Sequence, residues 1–229
     1  MARDLYDPHI IQFPPSQAEP NPIMIAAITG GVGSLAIVRQ ILADSASDEL
    51  PMALVLMEHV ADDQKAQWTS DSLASPDGMA VVEAEEGLVI ESGNAYLIPH
   101  DAARPLNMLK GRFQHAEADP ACGDHPIDCF LRALAAEAKQ WSIAVILSGH
   151  GSAGSRGIRY VYEANGLALC QDEDSAKIPE MPRNAQDSGF IDALLTPDDI
   201  AEALVRRAQR ESKQDAIPVE APVASPNEL

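Results

Sequence analysis

The sequence predicts an α/β domain built on a doubly wound, mostly parallel sheet with helices on both faces. Three observations predict it. Short continuous apolar runs alternate with stretches of helical period, the pattern of buried strands joined by crossover helices. Glycine-rich turns directly follow the two clearest runs, as they do where a strand hands over to a helix. Apolar residues make up 46% of the chain but aromatic ones only 4%, so the core weight lies in Ala, Val, Ile and Leu, which suit strands buried on both faces.

The elements follow in order. Pro8, Pro14, Pro15, Pro20 and Pro22 make residues 1–22 an irregular arm, because proline lacks a donor and breaks helices and central strands. Ile10, Ile11 and Phe13 are candidates to clip that arm to the domain. Residues 23–28 read as a buried strand, and Gly30, Gly31 and Gly33 as the turn after it. Leu35, Ile37, Val38, Ile41 and Leu42 give the next segment an apolar helical face. Residues 53–57 form a second buried strand, with further strand candidates at 79–82 and 96–98.

Pro126, Ile127 and Asp128 open a helix, since proline is tolerated in a first turn. Residues 143–147 form the strongest buried strand. Residues 156–165 fit a helix closed by Gly166 as the left-handed cap. Residues 167–170 are a strand, and Pro197 starts a last helix running toward Arg207. The expected domain is thus residues 23–208, with 209–229 a polar, disordered tail rich in Pro, Ala and Glu. A core of about 180 residues buries roughly 70% of its unfolded surface and needs no staple.

The formal charge of −19 opposes nucleic acid and anionic lipid as partners. Three cysteines, Cys122, Cys129 and Cys170, form no C-x-x-C pair, so no disulfide framework or zinc site is expected. No signal-peptide core and no run of 18 apolar residues occurs, so membrane insertion is not expected and a cytoplasmic location is.

Three glycine-bearing or histidine-bearing segments fall at carboxyl ends of strands, where sites form in such sheets. They are Ile25-Ala26-Ala27-Ile28-Thr29-Gly30-Gly31, Val55-Leu56-Met57-Glu58-His59-Val60, and Leu147-Ser148-Gly149-His150-Gly151-Ser152-Ala153-Gly154. They resemble I-G-A-S-T-G-G, V-V-x-Q-H-M and L-[ST]-G-M-G-x-D-G of the CheB-type protein-glutamate methylesterases. Weaker blocks follow in the same order. Val82 to Gly87 resembles V-x-E-A-E-D-G, Tyr96 to Pro99 resembles V-Y-x-A-P, and His125 to Leu134 resembles R-x-P-I-D-x-F-x-R-S-L. Glu163 to Leu167 resembles E-A-G-G-L, Gln171 to Ala176 resembles Q-D-E-E-S-A, and Met181 to Ala185 resembles M-P-R-A-A.

The resemblance implies a cytoplasmic chemosensory domain. Family members hydrolyse methyl-glutamate esters on chemoreceptor cytoplasmic helices, and some deamidate receptor glutamine. It also implies a triad in which serine attacks, histidine takes the proton and aspartate orients the histidine. On these blocks Ile28 stands at the serine position, His59 is retained, and Ala153 stands at the aspartate position. Isoleucine has no nucleophilic lone pair and alanine accepts no hydrogen bond, so the expectation is a binding or regulatory module with little or no esterase activity. Chemoreceptor helices or other chemosensory proteins are the expected partners. Thr29, Gly30, Gly31, Glu58, Gly149, His150, Gly151, Met181 and Arg183 are the expected cleft residues. Residues 1–22 are too few for the receiver domain that full-length chemotaxis methylesterases carry.

Two alternatives remain open on the sequence. One is an active esterase with a rearranged nucleophile, drawn from Thr29, Ser34 or Ser152. Strand alternation should aim Thr29 away from His59. The other is a dinucleotide site, because Gly31, Gly33 and Ala36 fit G-x-G-x-x-[GA] and Glu58 lies near a ribose-binding position. His59, His150 and Glu58 would be a metal set, but no metal or cofactor is expected.

Overall fold

The computed structural model describes residues 23–45, 51–60, 65–75, 78–100, 105–115 and 125–215. The arm expected over residues 1–22, Cys122 and the tail beyond 215 lie outside the described residues.

The central sheet takes β1 (Met24–Gly30), β2 (Met52–Glu58), β3 (Val81–Glu83), β4 (Ala95–Ile98), β7 (Ser142–Ile146), β8 (Leu167–Gln171) and β9 (Ala193–Leu195). Their spatial order is β3-β4-β2-β1-β7-β8-β9. All six neighbouring pairs are parallel. The middle strands are buried along their whole length, which explains why they read as unbroken apolar runs rather than alternating ones. The order reverses direction around β1, so the loops after β1, β2 and β7 converge on one edge, the usual place for a site.

Among the described residues the α-helices are α1 (Leu35–Asp44), α2 (Ser70–Leu73), α3 (Pro126–Ala138), α4 (Gly157–Glu163), α5 (Glu180–Asp187) and α6 (Pro197–Asp215). α1 buries Ile37, Val38, Ile41 and Leu42, the face its periodicity predicts. α3 starts with Pro126 at its first turn and buries Ile127, Phe130, Leu131 and Leu134. α6 continues past Arg210, where the sequence predicts the loss of regular structure. No described helix is long and apolar enough to cross a membrane.

The structure also corrects the sequence reading at the end of α4 and beside β4. The left-handed residue that ends α4 is Asn165, with φ 60°, and not Gly166. An antiparallel hairpin, β5 (Leu106–Leu109) and β6 (Arg112–His115), was not expected. Its turn places Lys110 and Gly111 both at positive φ, the geometry that suits a two-residue hairpin. The hairpin packs Phe113 between Tyr96 and Phe130, with ring centroids 5.3 and 6.4 Å away. It thereby joins β4 to α3, and Leu106 of β5 lines the site.

Candidate functional site

β1 and β2 run in register, with Ile28 beside Leu56, Thr29 beside Met57 and Gly30 beside Glu58. The His59 amide then donates to the Gly30 carbonyl at 2.7 Å. His59 therefore leaves the sheet beside Gly30, and Gly31, the first residue after β1, lies against its carbonyl. Across β1, the Gly31 amide donates to the Ser148 carbonyl at 2.8 Å. These bonds fix the loops after β1, β2 and β7 against one another.

A cleft of about 210 Å³ opens beside them. Met57, Ile98, Leu106, Ile127 and Ala153 supply its apolar surface, and His59, His100 and His125 supply its polar groups. The structure thus brings His59 and Ala153 together, in one cleft. It does not bring Ile28 there: that side chain is fully buried within the sheet and is not part of the cleft wall. Thr29, and not Ile28, is turned toward the loop bearing Ala153. Its Oγ1 lies 3.6 Å from where a Cβ on Gly154 would stand. Ile28, at the family's nucleophile position in sequence, keeps its side chain within the sheet, while Thr29 pairs with Met57 of the cleft wall.

The His59 imidazole is held below its ordinary pKa, first by burial and then by His125, His100 and His150; Asp128 acts weakly the other way. No described hydroxyl or carboxylate hydrogen-bonds it. Thr29 is buried and its hydroxyl donates to the Val145 carbonyl at 3.2 Å. Ser34 is buried and donates to the Gly31 carbonyl. The Ser148 hydroxyl donates to the Val32 carbonyl at 2.9 Å and accepts from the Ile178 amide at 2.9 Å. Ser152 is exposed. Deprotonating a buried donor would break a bond it already makes, so Thr29 and Ser34 are poor nucleophiles.

The glycines of the two turns meet face to face. A Cβ on Gly31 would stand 2.8 Å from the His59 carbonyl oxygen and 3.4 Å from the Gly149 Cα. A Cβ on Gly149 would stand 3.0 Å from the Gly31 amide and would collide with the Met181 sulphur. Met181 is therefore a packing residue beneath the loop, fully buried, rather than a member of the cleft wall as the sequence suggests. Arg183 is also away from the cleft, paired with Glu173 at 2.7 Å.

Glu58 borders the cleft, yet both its oxygens accept the Gln67 amide, at 2.9 and 2.8 Å, and Oε2 also accepts the Trp68 amide at 2.8 Å. Its carboxylate organises the segment after β2. The space above the glycine turn is filled too: a Cβ on Gly33 would meet Lys177 at 2.7 Å and the Ser148 hydroxyl at 2.8 Å. A pyrophosphate finds neither room there nor a free acid at Glu58. Among the described residues no group of three or more His, Cys, Asp or Glu is arranged to hold a metal ion.

Further residues shape this edge, of which Glu180 and His100 lie outside the sequence blocks. Glu180 Oε2 accepts the Gly151 amide at 2.9 Å, and its Oε1 lies 3.3 Å from His150 Nδ1. Asn184 donates to the Gly151 carbonyl at 2.9 Å. These bonds give His150 and Gly151 their partner, the first turn of α5. Asp128 Oδ1 accepts the Gly157 amide at 2.6 Å and the Arg156 amide at 3.1 Å, while Oδ2 is buried without a partner. His100 follows β4 directly, so the strand-end rule that flags His59 also flags it.

This arrangement of a parallel sheet, a strand-end histidine and a glycine-rich loop defines a hydrolase-type α/β domain. The CheB methylesterase family model matches residues 23–204, and the chain belongs to that family. It is 30% identical over 196 residues to the protein-glutamate methylesterase/protein-glutamine glutaminase of group 3 operon of Rhizobium meliloti (strain 1021), covering 85% of this chain and 54% of the relative. It is 31% identical over 195 residues to the protein-glutamate methylesterase/protein-glutamine glutaminase 3 of Anaeromyxobacter dehalogenans (strain 2CP-C), covering 83% of this chain and 55% of the relative. The chain thus spans about half the length of these curated relatives. The crystal structure of the Thermotoga maritima CheB methylesterase catalytic domain matches the fold with TM-score 0.69 at 24% identity, over 82% of this chain and 100% of the other.

Proposed function

We propose that this domain is a binding or regulatory module of a chemosensory pathway, located in the cytoplasm, that keeps the methylesterase cleft without its hydrolytic chemistry. The observation that carries the reading is Ala153 in the wall of the cleft that holds His59. At that place a triad needs a carboxylate to fix the imidazole tautomer and stabilise the imidazolium. The nucleophile is missing as well. Ile28 is inside the sheet, and Gly31, which lies against His59, has no side chain. Loss of the nucleophile alone costs on the order of a millionfold in turnover, about 8 kcal/mol of barrier.

The cleft is suited to holding part of a chemoreceptor helix, or a segment of another chemosensory protein, without cleaving it. Occupying that segment would compete with an active methylesterase or methyltransferase. Methanol release from methylated receptor tests the reading. The expected result is release no faster than in buffer; turnover that disappears in His59→Ala would contradict it.

One observation favours a second reading, an active esterase with a moved nucleophile. Ser152 is exposed, and neighbouring Gly151 comes so close to His59 that a Cβ there would lie 3.5 Å from Nε2. A serine-directed fluorophosphonate separates the two readings. Labelling at Ser152 would support the second, and an unlabelled chain the first.

A further inference from the structure

The β5–β6 hairpin has an outer face that nothing covers. Residues 87–90 run along β6 as a third strand. The Ile90 amide donates to the Gly111 carbonyl at 2.9 Å, the Phe113 amide to the Leu88 carbonyl at 2.9 Å and the Gly87 amide to the Phe113 carbonyl at 2.8 Å. Paired residues of a ladder present their side chains to one face. Met108 and Phe113 are paired and buried, which defines the inner face. Leu109 pairs with Arg112, and Arg112 pairs with Val89, so these three stand in one row on the outer face. All three are exposed, and Leu109 and Val89 are among the few exposed large apolar residues of the described chain. Arg112 stands between them. Its Nη1 donates to the Gly87 carbonyl at 3.0 Å, which lays the guanidinium over the third strand. Among the described residues no carboxylate pairs with it: Glu86 turns to His115 at 3.8 Å, and Glu137 accepts the Gly111 amide at 3.3 Å. The other hairpin residues of this face, Asn107 and Gln114, are uncharged. In a chain of formal charge −19 this row carries a cation and no acid.

We propose that the row of Leu109, Arg112 and Val89 docks an amphipathic helix of a partner protein, one that presents a carboxylate between two apolar side chains. Neighbouring strands lie about 4.8 Å apart, so Leu109 and Val89 are separated by about 10 Å with Arg112 midway. A helix rises about 5.4 Å per turn, so apolar residues at i and i+7 with an acid at i+3 or i+4 match that spacing. The helix then crosses the three strands. Its acid accepts two N–H bonds from the Nε and Nη2 side of the guanidinium, the side that Gly87 leaves open. Its apolar pair covers Leu109 and Val89, which removes exposed apolar surface from water. The row lies about 10 Å along β5 from Leu106, the residue of that strand that lines the cleft. It is a contact outside the cleft, and it holds its partner whether or not the cleft hydrolyses anything.

The test is titration of the full chain with a lactam-bridged helical peptide that carries leucine, glutamate and leucine at i, i+4 and i+7 on an alanine and glutamine background. Fluorescence anisotropy gives the affinity, and amide NMR shifts give the place. The expected result is saturable binding with shifts centred on Val89, Leu109 and Arg112. Glutamine for glutamate in the peptide, or Arg112→Glu in the chain, is expected to weaken binding about tenfold. Leu109→Ser should weaken it too. Arg206→Glu, the same change of charge on α6, should leave it unchanged. Circular dichroism verifies folding of each variant, and the peptide substitution needs no variant to fold. Absent binding, shifts centred on His59 instead of the row, or equal affinity for the glutamate and glutamine peptides would overturn the proposal. Self-association in sedimentation equilibrium that Arg112→Glu dissolves would also overturn it, by assigning the row to a second copy of the chain.

Discussion

The Glu180 carboxylate holds the Gly151 amide at 2.9 Å, and through it the first turn of α5 grips the loop that carries Ala153. Glu180 titrates below the usual carboxylate range, first because of the Gly151 amide and then because of His150. A carboxyl whose folded pKa is depressed contributes above its unfolded value and loses that contribution as pH falls through the folded one. Hydrogen-exchange protection at Gly151 should therefore drop in Glu180→Ala at neutral pH, and in the unmodified chain below the usual carboxylate range. Equal protection in the variant would show that Asn184 and Met181 hold the loop without Glu180.

Asp128 separates hydrogen bonding from charge. Burial pushes its carboxyl up, against the downward pull of the Gly157 amide and of His125. For an acid with a raised folded pKa, stability falls as pH climbs from the unfolded value to the folded one. Asp128→Asn keeps an oxygen for the Gly157 and Arg156 amides, so it should flatten that pH dependence at little cost near neutral pH. Asp128→Ala leaves those amides without their acceptor and should cost about 1–3 kcal/mol. Denaturant melts of both across pH check this; equal losses in the two would contradict it.

Gly166 and Asn165 have exchanged the roles that the sequence suggests. A Cβ on Gly166 would stand 2.5 Å from the Ser142 carbonyl oxygen and 2.8 Å from Val161 Cγ1. Gly166→Ala should cost about 1–3 kcal/mol through overpacking. Asn165, at φ 60°, needs the left-handed backbone, so Asn165→Gly should change stability by less than about 1 kcal/mol. Thermal melts separate the two, and a larger loss for Asn165→Gly would reverse the assignment.

Ile28→Ser tests the register directly. The side chain is fully buried between Leu56 and Val145 in the sheet. A hydroxyl there creates a cavity and buries a polar group, at about 3 kcal/mol or more. The variant should lose stability and gain no reactivity toward fluorophosphonate, even combined with Ala153→Asp. Labelling of the new serine would show that position 28 does face His59.

The middle of the sheet was legible because its strands are buried on both faces, so each reads as an unbroken apolar run such as Val55 to Met57 or Ile143 to Leu147. His59 and Ala153 were legible because glycine turns and strand ends mark them. The facing of Ile28 and Thr29 was not: in an all-apolar run no alternation reports which face a residue takes, and only the register resolves it. The β5–β6 hairpin was hidden because its short strands lack a strong apolar run and its turn uses Lys110-Gly111 rather than the commoner Asn-Gly. Glu180 was hidden because its partners, His150 and Gly151, lie about thirty residues away, beyond any local pattern.

The central claim is that the cleft binds and does not hydrolyse. The most direct measurement follows methanol release from methylated chemoreceptor while binding of the same receptor is recorded in parallel. The account predicts saturable binding that is weakened by His59→Ala, with methanol release equal to that in buffer. Release that saturates with receptor and vanishes in His59→Ala would contradict it.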